Sequence, residues 1–173
     1  MTIAWRDVVA SVMDEAHQRA GEGAPHGSAI AAREQTAGRG QRGRAWASPA
    51  GGLWLAVIGR PSGPEPMETL SVRVGHALAR TMAAACPWLP PITVKFPNDL
   101  LVEGRKLAGI LCEARWEGPA PSWVVIGIGI NVRNTVPPEL AGMATRLADH
   151  GPAPTPEALA PAIVAAAASA ALG

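Results

Sequence analysis

Three short stretches of this chain hold residue types suited to anion chemistry. The first, Gly38-Arg39-Gly40-Gln41-Arg42-Gly43-Arg44, sits in a Gly- and Arg-rich segment from Gln35 to Gly52, with no acidic residue between Glu34 and Glu65. Guanidinium groups are planar, permanently charged donors that pair with phosphate or carboxylate oxygens, and glycine lets the backbone approach an anion closely. The segment suits an anionic ligand; a solvated basic loop or an RGG-like nucleic-acid contact is the alternative. Gly38 to Gly43 also fits GxGxxG, but that pattern binds a dinucleotide only where a helix begins at the loop. Here Arg44-Ala45-Trp46-Ala47-Ser48-Pro49 follows, then a strand, so a Rossmann site is rejected.

The second stretch is Val94-Lys95-Phe96-Pro97-Asn98-Asp99, followed by Lys106-Leu107-Ala108-Gly109. The chain has 13 arginines and only 2 lysines, and both lysines fall here. Where Arg is the usual cation, a Lys hints that a compact ammonium is needed. The third stretch, Gly127-Ile128-Gly129-Ile130-Asn131, ends an apolar run. Glycines inside a strand mark a bulge or the close approach of a ligand or another backbone.

These stretches need elements to position them, and hydrophobic periodicity supplies candidates. Strands are expected at Trp5 to Ala10, Ser28 to Glu34, Leu53 to Gly59, Ile92 to Phe96, Leu100 to Val102, Lys106 to Trp116 and Trp123 to Val132. Ser11-x-x-Asp14 has the side-chain oxygens of a capping box and opens a helix with Val12, Met13, Ala16 and Ala20 on one face and Gly21 as its stop. A second helix, from about Glu65 to Ala85, carries a stripe of Leu70, Val74, Leu78 and Met82. Glu103-Gly104-Arg105 is a hairpin turn, Pro137-Pro138 starts a further helical segment, and Thr155-Pro156-Glu157 starts the last helix. The pattern predicts one α+β domain over residues 1–173, its sheet mixed and packed with helices.

Composition narrows the partners. A net charge of +1 argues against a general polyanion binder. Cys86 and Cys112 have neither CxxC nor His-interleaved spacing, so neither zinc site nor disulfide framework is suggested. His17, His26, His76 and His150 are scattered and read as structural or surface residues. No leader and no span of about 20 apolar residues is visible, so a cytoplasmic protein without membrane contact is expected.

Together, Gln35 to Trp46, Lys95 to Asp99 with Lys106 to Leu111, and Gly127 to Asn131 resemble the catalytic domain of biotin protein ligases, in the biotin/lipoate ligase family. The resemblance runs from about Ser11 to Asn131. It implies a class II synthetase-like fold with a largely antiparallel sheet. It also implies ATP-dependent activation of biotin as biotinyl-AMP, transfer to a carrier-domain lysine, and Mg²⁺ as the ion. By the same resemblance, Ser11 and Gln35 contact the biotin ureido ring beside Val12 and Met13. Arg39, Gly40 and Gln41 lie in the loop that closes over biotinyl-AMP, with Arg42 and Arg44 in support. Trp46 packs by the adenylate, Lys95 bridges the biotin carboxylate and the α-phosphate, and Asn131 faces the adenine. Asn98 and Asp99 shape the site, with Asp99 a candidate for holding Mg²⁺.

Joining a carboxylate to a phosphate requires two anions to meet, so cations must offset their repulsion. Arg39 and Lys95 are the expected catalytic pair. The family commonly has Ser-Thr-Asn where this chain has Ser11-Val12-Met13; the apolar pair favours a rival lipoate or octanoate ligase, while the Gly38 to Gly43 loop favours biotin. A third reading is a truncated, non-catalytic biotin-binding relative. Neither a preceding helix-turn-helix nor a C-terminal β-barrel domain is expected, and the chain is read as a monomer or homodimer. With no helix-turn-helix in the sequence, titration into duplex DNA at physiological salt is expected to give no sequence-specific complex in a gel-shift assay. A discrete, salt-resistant shift would contradict the absence of a nucleic-acid partner.

Overall fold

Seven strands form one sheet in the order β1-β2-β3-β7-β6-β5-β4. In this computed structural model, which describes residues 2–61 and 67–172, they are β1 (Ile3–Val9), β2 (Ala29–Gln35), β3 (Leu53–Gly59), β4 (Ile92–Lys95), β5 (Asp99–Val102), β6 (Arg105–Glu117) and β7 (Ala120–Ile130). The helices are α1 (Val12–Gly21), α2 (Met67–Ala85) and α3 (Pro156–Ala170). Only β1 and β2 run parallel, joined by the α1 crossover; every other neighbouring pair is antiparallel. The fold is the expected α+β arrangement, with each strand within a few residues of its sequence-based position. Residues 65 and 66, where the second helix was expected to begin, lie outside the described residues.

Each face of the sheet is covered according to its period-two pattern. On one face, the stripe Leu70, Val74, Leu78 and Met82 of α2 packs with Leu159, Ile163 and Val164 of α3 against Leu55, Val57, Ile126 and Ile128. On the other, Val12, Met13, Ala16 and Ala20 of α1 pack against Ile30, Ala32, Ala56, Ile58 and Val125. The β5–β6 hairpin turns through Glu103 (φ 51°) and Gly104 (φ 75°), the two left-handed positions a type I′ turn requires. Cys86 is buried, Cys112 half-buried, and both are free. No helix among the described residues is long and apolar enough to cross a membrane.

Two local expectations differ from the structure. Ser11 caps α1, its hydroxyl accepting from the Met13 N–H at 3.3 Å, but Asp14 does not complete a capping box. Its carboxylate accepts from Arg39 instead, at 2.7 Å, because a charged donor is a stronger partner than the cap amide. Pro137-Pro138 starts only a single 3₁₀ turn, Pro138–Leu140. Gly142 turns the chain at φ 83°, and residues 143–145 run beside Lys106, exchanging Lys106 N–H to Met143 O and Thr145 N–H to Lys106 O at 2.8 and 2.9 Å.

Leu78 is fully buried where α2 meets the sheet. Leu78→Ala is expected to cost about 2–5 kcal/mol of unfolding free energy, read as a lower denaturant midpoint at unchanged slope. A loss below about 0.5 kcal/mol, the size of an ordinary surface substitution, would contradict its place in the core.

Candidate functional site

The α1 face of the sheet has a patch without side chains. Register places Gly129 opposite Gly109 across β7 and β6, and Gly127 opposite Ala56 on β3. A Cβ on Gly129 would lie 2.6 Å from Nε1 of Trp46, and one on Gly109 would lie 2.9 Å from its Cζ3. A Cβ on Gly127 would lie 2.6 Å from Sδ of Met13. The indole therefore lies on the backbone of two strands and the thioether beside it, which is why these strands carry glycine. Nε1 of Trp46 is buried without a hydrogen-bond acceptor among the described residues.

A cavity of about 280 Å³ opens on this floor, just below the roughly 300–1,000 Å³ typical of small-molecule sites. The start of α1 contributes Ser11, Val12 and Met13, and the end of β2 contributes Gln35. Gln35 ties the two together: its Oε1 accepts from the Val12 N–H at 2.9 Å, and its Nε2 donates to Ser48 Oγ at 2.8 Å. The Gly- and Arg-rich segment is a closed hairpin. The Trp46 N–H donates to Gly38 O at 2.8 Å and the Gly40 N–H to Arg44 O at 2.7 Å, while Arg42 (φ 58°) and Gly43 (φ 71°) reverse the chain. Gly38 is required because a Cβ there would lie 2.5 Å from Trp46 O. This hairpin sets Arg39, Gly40, Gln41, Arg44 and Trp46 against the cavity and leaves Arg42 exposed outside it.

The lysine against the cavity is Lys106. Its Nζ lies 2.6 Å from Asp99 Oδ1 and 4.8 Å from the centre of the Trp46 ring, a cation–π contact. Lys106 and Asp99 form an ion pair at the cavity wall. Lys95, expected to be catalytic, is exposed on the outermost strand and does not line the cavity, because β5 lies between β4 and β6. Asn98 lines the cavity while its Nδ2 donates to Ile110 O at 3.0 Å. Asn131, expected to face a nucleotide, is turned inward: its Nδ2 donates to Lys106 O at 3.4 Å and its Oδ1 accepts from Asn134 at 3.1 Å. With both ends of its buried amide satisfied, it fixes the backbone of Lys106 and does not line the cavity.

Arg39 is held by two carboxylates. Its Nε and Nη2 donate to the two oxygens of Glu113, each at 3.2 Å, and its Nη1 donates to Asp14 at 2.7 Å and to Ser11 Oγ at 3.3 Å. The hydrogen bond to Glu113 raises the Arg39 pKa above its ordinary value; burial opposes this and Asp14 adds to it. Burial alone would raise the Glu113 pKa, but Arg39 and His17 outweigh it and hold the carboxyl below its ordinary value.

Sequence reasoning missed Lys106 as the cavity lysine and Glu113 entirely, and read His17 only as a structural or surface residue. Period two gave a usable signal for Glu113, since Gly109, Leu111 and Glu113 share one face of β6.

Residues 9–131 match the model of the Biotin/lipoate A/B protein ligase family, and the chain belongs to that family. The bifunctional ligase/repressor BirA of Bacillus subtilis is 39% identical over 150 residues, covering 83% of this chain and 45% of its own. The biotin--[acetyl-CoA-carboxylase] ligase of Mycobacterium tuberculosis is 38% identical over 157 residues, covering 85% of this chain and 57% of its own. The chain thus spans about half the length of these curated relatives. Among solved structures, the Aquifex aeolicus biotin protein ligase in complex with biotin and ATP superposes with a TM-score of 0.84 at 25% identity, covering 98% of this chain and 70% of that one. The Leishmania major biotin protein ligase in complex with biotinyl-5-AMP gives 0.77 at 28% identity, covering 98% and 74%.

Gly129→Ala is expected to displace Trp46 and weaken ligand affinity by about tenfold, roughly 1.4 kcal/mol. Titration calorimetry and indole fluorescence check it, and unchanged affinity would remove the glycine floor from the site. The Arg39–Glu113 pair also has a pH signature. A depressed carboxyl pKa contributes stability that is fully present above the unfolded value, about 4.3, and is lost as pH falls through the folded value. Below about pH 5 the stability difference between wild type and Glu113→Gln, measured by denaturation, should shrink as the carboxyl becomes protonated. A difference that grew below about pH 5 would contradict the pairing.

Proposed function

We propose that this chain activates biotin with ATP as biotinyl-AMP and transfers the biotinyl group to a lysine of a biotin carrier domain. The observation that carries this reading is the glycine-floored cavity, apolar at the α1 end and walled by Trp46 with the Lys106 ammonium over its ring. Support comes from relatives named as biotin ligases and from superposable structures holding biotin with ATP or biotinyl-5-AMP.

The chemistry follows from charge. A carboxylate oxygen of the acid attacks the α-phosphorus, pyrophosphate leaves, and the carrier amine then attacks the acyl carbon and expels AMP. The mixed anhydride is already activated, so the chain needs only to bind, orient and offset charge. In this reading Lys106 takes the role expected of Lys95, between the carboxylate and the α-phosphate. Arg39 and Arg44 add positive charge at the loop, and Trp46 flanks the adenylate beside Asn98. Ser11, Val12, Met13 and Gln35 enclose the distal end of the acid, with Gly40 and Gln41 over it.

Mg²⁺ would accompany the nucleotide, neutralising its phosphates. Among the described residues Asp99 is the only carboxylate lining the cavity and is already paired with Lys106, and none of them forms a group of three or more His, Cys, Asp or Glu suited to a metal. The described residues do not build a metal cage. A second reading, lipoate or octanoate as the acid, is favoured by Val12 and Met13, whose buried apolar side chains line the inner wall.

The test incubates the chain with MgATP, a carrier domain and each acid in turn and measures carrier mass. Gain of one biotinyl group supports the first reading, gain of a lipoyl or octanoyl group the second, and no gain with any acid contradicts both. Lys106→Ala should slow acid-dependent adenylate formation by at least about tenfold, roughly 1.4 kcal/mol, while Lys95→Ala stays within about twofold in single-turnover kinetics. The opposite ranking would return the role to Lys95.

A further inference from the structure

Arg39 links the hairpin over the cavity to the body of the protein, and its partners form a continuous chain of side chains. The Trp123 indole N–H donates to Nδ1 of His17 at 3.2 Å, which makes Nδ1 an acceptor and leaves the imidazole hydrogen on Nε2. Nε2 of His17 lies 2.9 Å from Oε2 of Glu113, so the ring donates to that carboxylate. Glu113 in turn receives the Nε and Nη2 edge of Arg39. The remaining terminal nitrogen, Nη1, reaches Ser11 and Asp14 at the start of α1. Trp123 stands on β7, Glu113 on β6, and His17 and Asp14 on α1, so three elements converge on one guanidinium.

Four donor contacts to fixed partners hold that guanidinium as a strut, in contrast to a freely swinging anion clamp. Arg39 also forms an isolated bridge with Ala45 across the hairpin, so fixing its side chain fixes residues 38–46. A planar fork facing a carboxylate side-on loses less rotamer freedom per hydrogen bond than a lysine would, which suits a part whose task is placement.

We infer that Glu113 is a positioning residue, oriented by His17 and Trp123, that fixes Arg39 and thereby holds the Gly38–Trp46 hairpin closed over the cavity. Its effect on turnover rests on the proposed ligase reading; its effect on the hairpin does not. Loss of the latch lets the hairpin open, which weakens retention of acid and acyl-adenylate without altering Lys106, the cation placed between the carboxylate and the α-phosphate.

The experiment measures two quantities on wild type, Glu113→Gln, His17→Leu and His17→Gln. The first is hydrogen exchange without ligand at the amides of Gly40 and Trp46, whose hydrogen bonds close the hairpin. In Glu113→Gln and His17→Leu these amides are expected to exchange about tenfold faster while the central amides of β7 are unchanged. His17→Gln, which keeps a donor for Glu113, should stay near wild type. The second is steady-state adenylation, where Glu113→Gln should raise the KM for the acid by about fivefold or more with kcat within about twofold. Unchanged hairpin exchange in Glu113→Gln, or equal exchange in the two His17 variants, overturns the inference. Faster exchange throughout β6 and β7 would also overturn it, as the mark of general destabilisation. If wild type activates none of the acids, the ligase reading fails and the exchange data still decide the latch.

Discussion

Gly109, Gly127 and Gly129 leave the centre of one sheet face bare, and everything placed around the cavity depends on what that bare surface admits. Each glycine in a strand costs about 0.5–1 kcal/mol relative to alanine. The indole of Trp46 offsets part of that cost, since an aromatic side chain brings 150–250 Å² of surface and burial stabilises by about 25 cal/mol per Å². Met13 does the same at Gly127. Because the two side chains rest on neighbouring points of one strand, the floor between them is the backbone of β7 itself. A cavity built this way is largely formed before any ligand arrives, so binding avoids much of the ordering cost that a collapsed site would impose.

Charge is arranged by the same rule of fixed partners. Lys106 faces Asp99, and Arg39 faces Glu113 and Asp14, so the positive groups at the cavity are compensated at rest. An isolated buried ammonium or guanidinium would carry a large desolvation penalty, and an unpaired one would be free to wander. Pairing solves both problems. It also explains how a chain of net charge +1 can present positive groups to a cavity without a basic surface.

Much of the fold was legible from periodicity because burial follows it. The α2 stripe and the alternating strands lie where hydrophobic spacing puts them, and the residues of Gln35 to Trp46 line the cavity largely as expected. The remaining differences come from tertiary context. Lys95 and Lys106 are equivalent as residue types, and only the order of strands, with β5 between their two strands, decides which one faces inward. Asn131 carries a polar amide that composition assigns to a ligand, yet Asn134 and the Lys106 carbonyl satisfy it first. Pro137 and Pro138 signal a helix start, but the chain beyond is drawn into pairing with Lys106. Glu113 and His17 meet across 96 residues of sequence, a contact that no local pattern encodes.

The most direct test of the bare-floor cavity is a crystal structure of this chain with a non-hydrolysable biotinyl-sulfamoyl adenosine. The account predicts the bicyclic ring lying on the Gly127–Gly129 backbone between Met13 and Trp46, with the sulfamoyl group within hydrogen-bond reach of Lys106. A ligand bound away from those glycines, or with its sulfamoyl group at Lys95 and out of reach of Lys106, would contradict it.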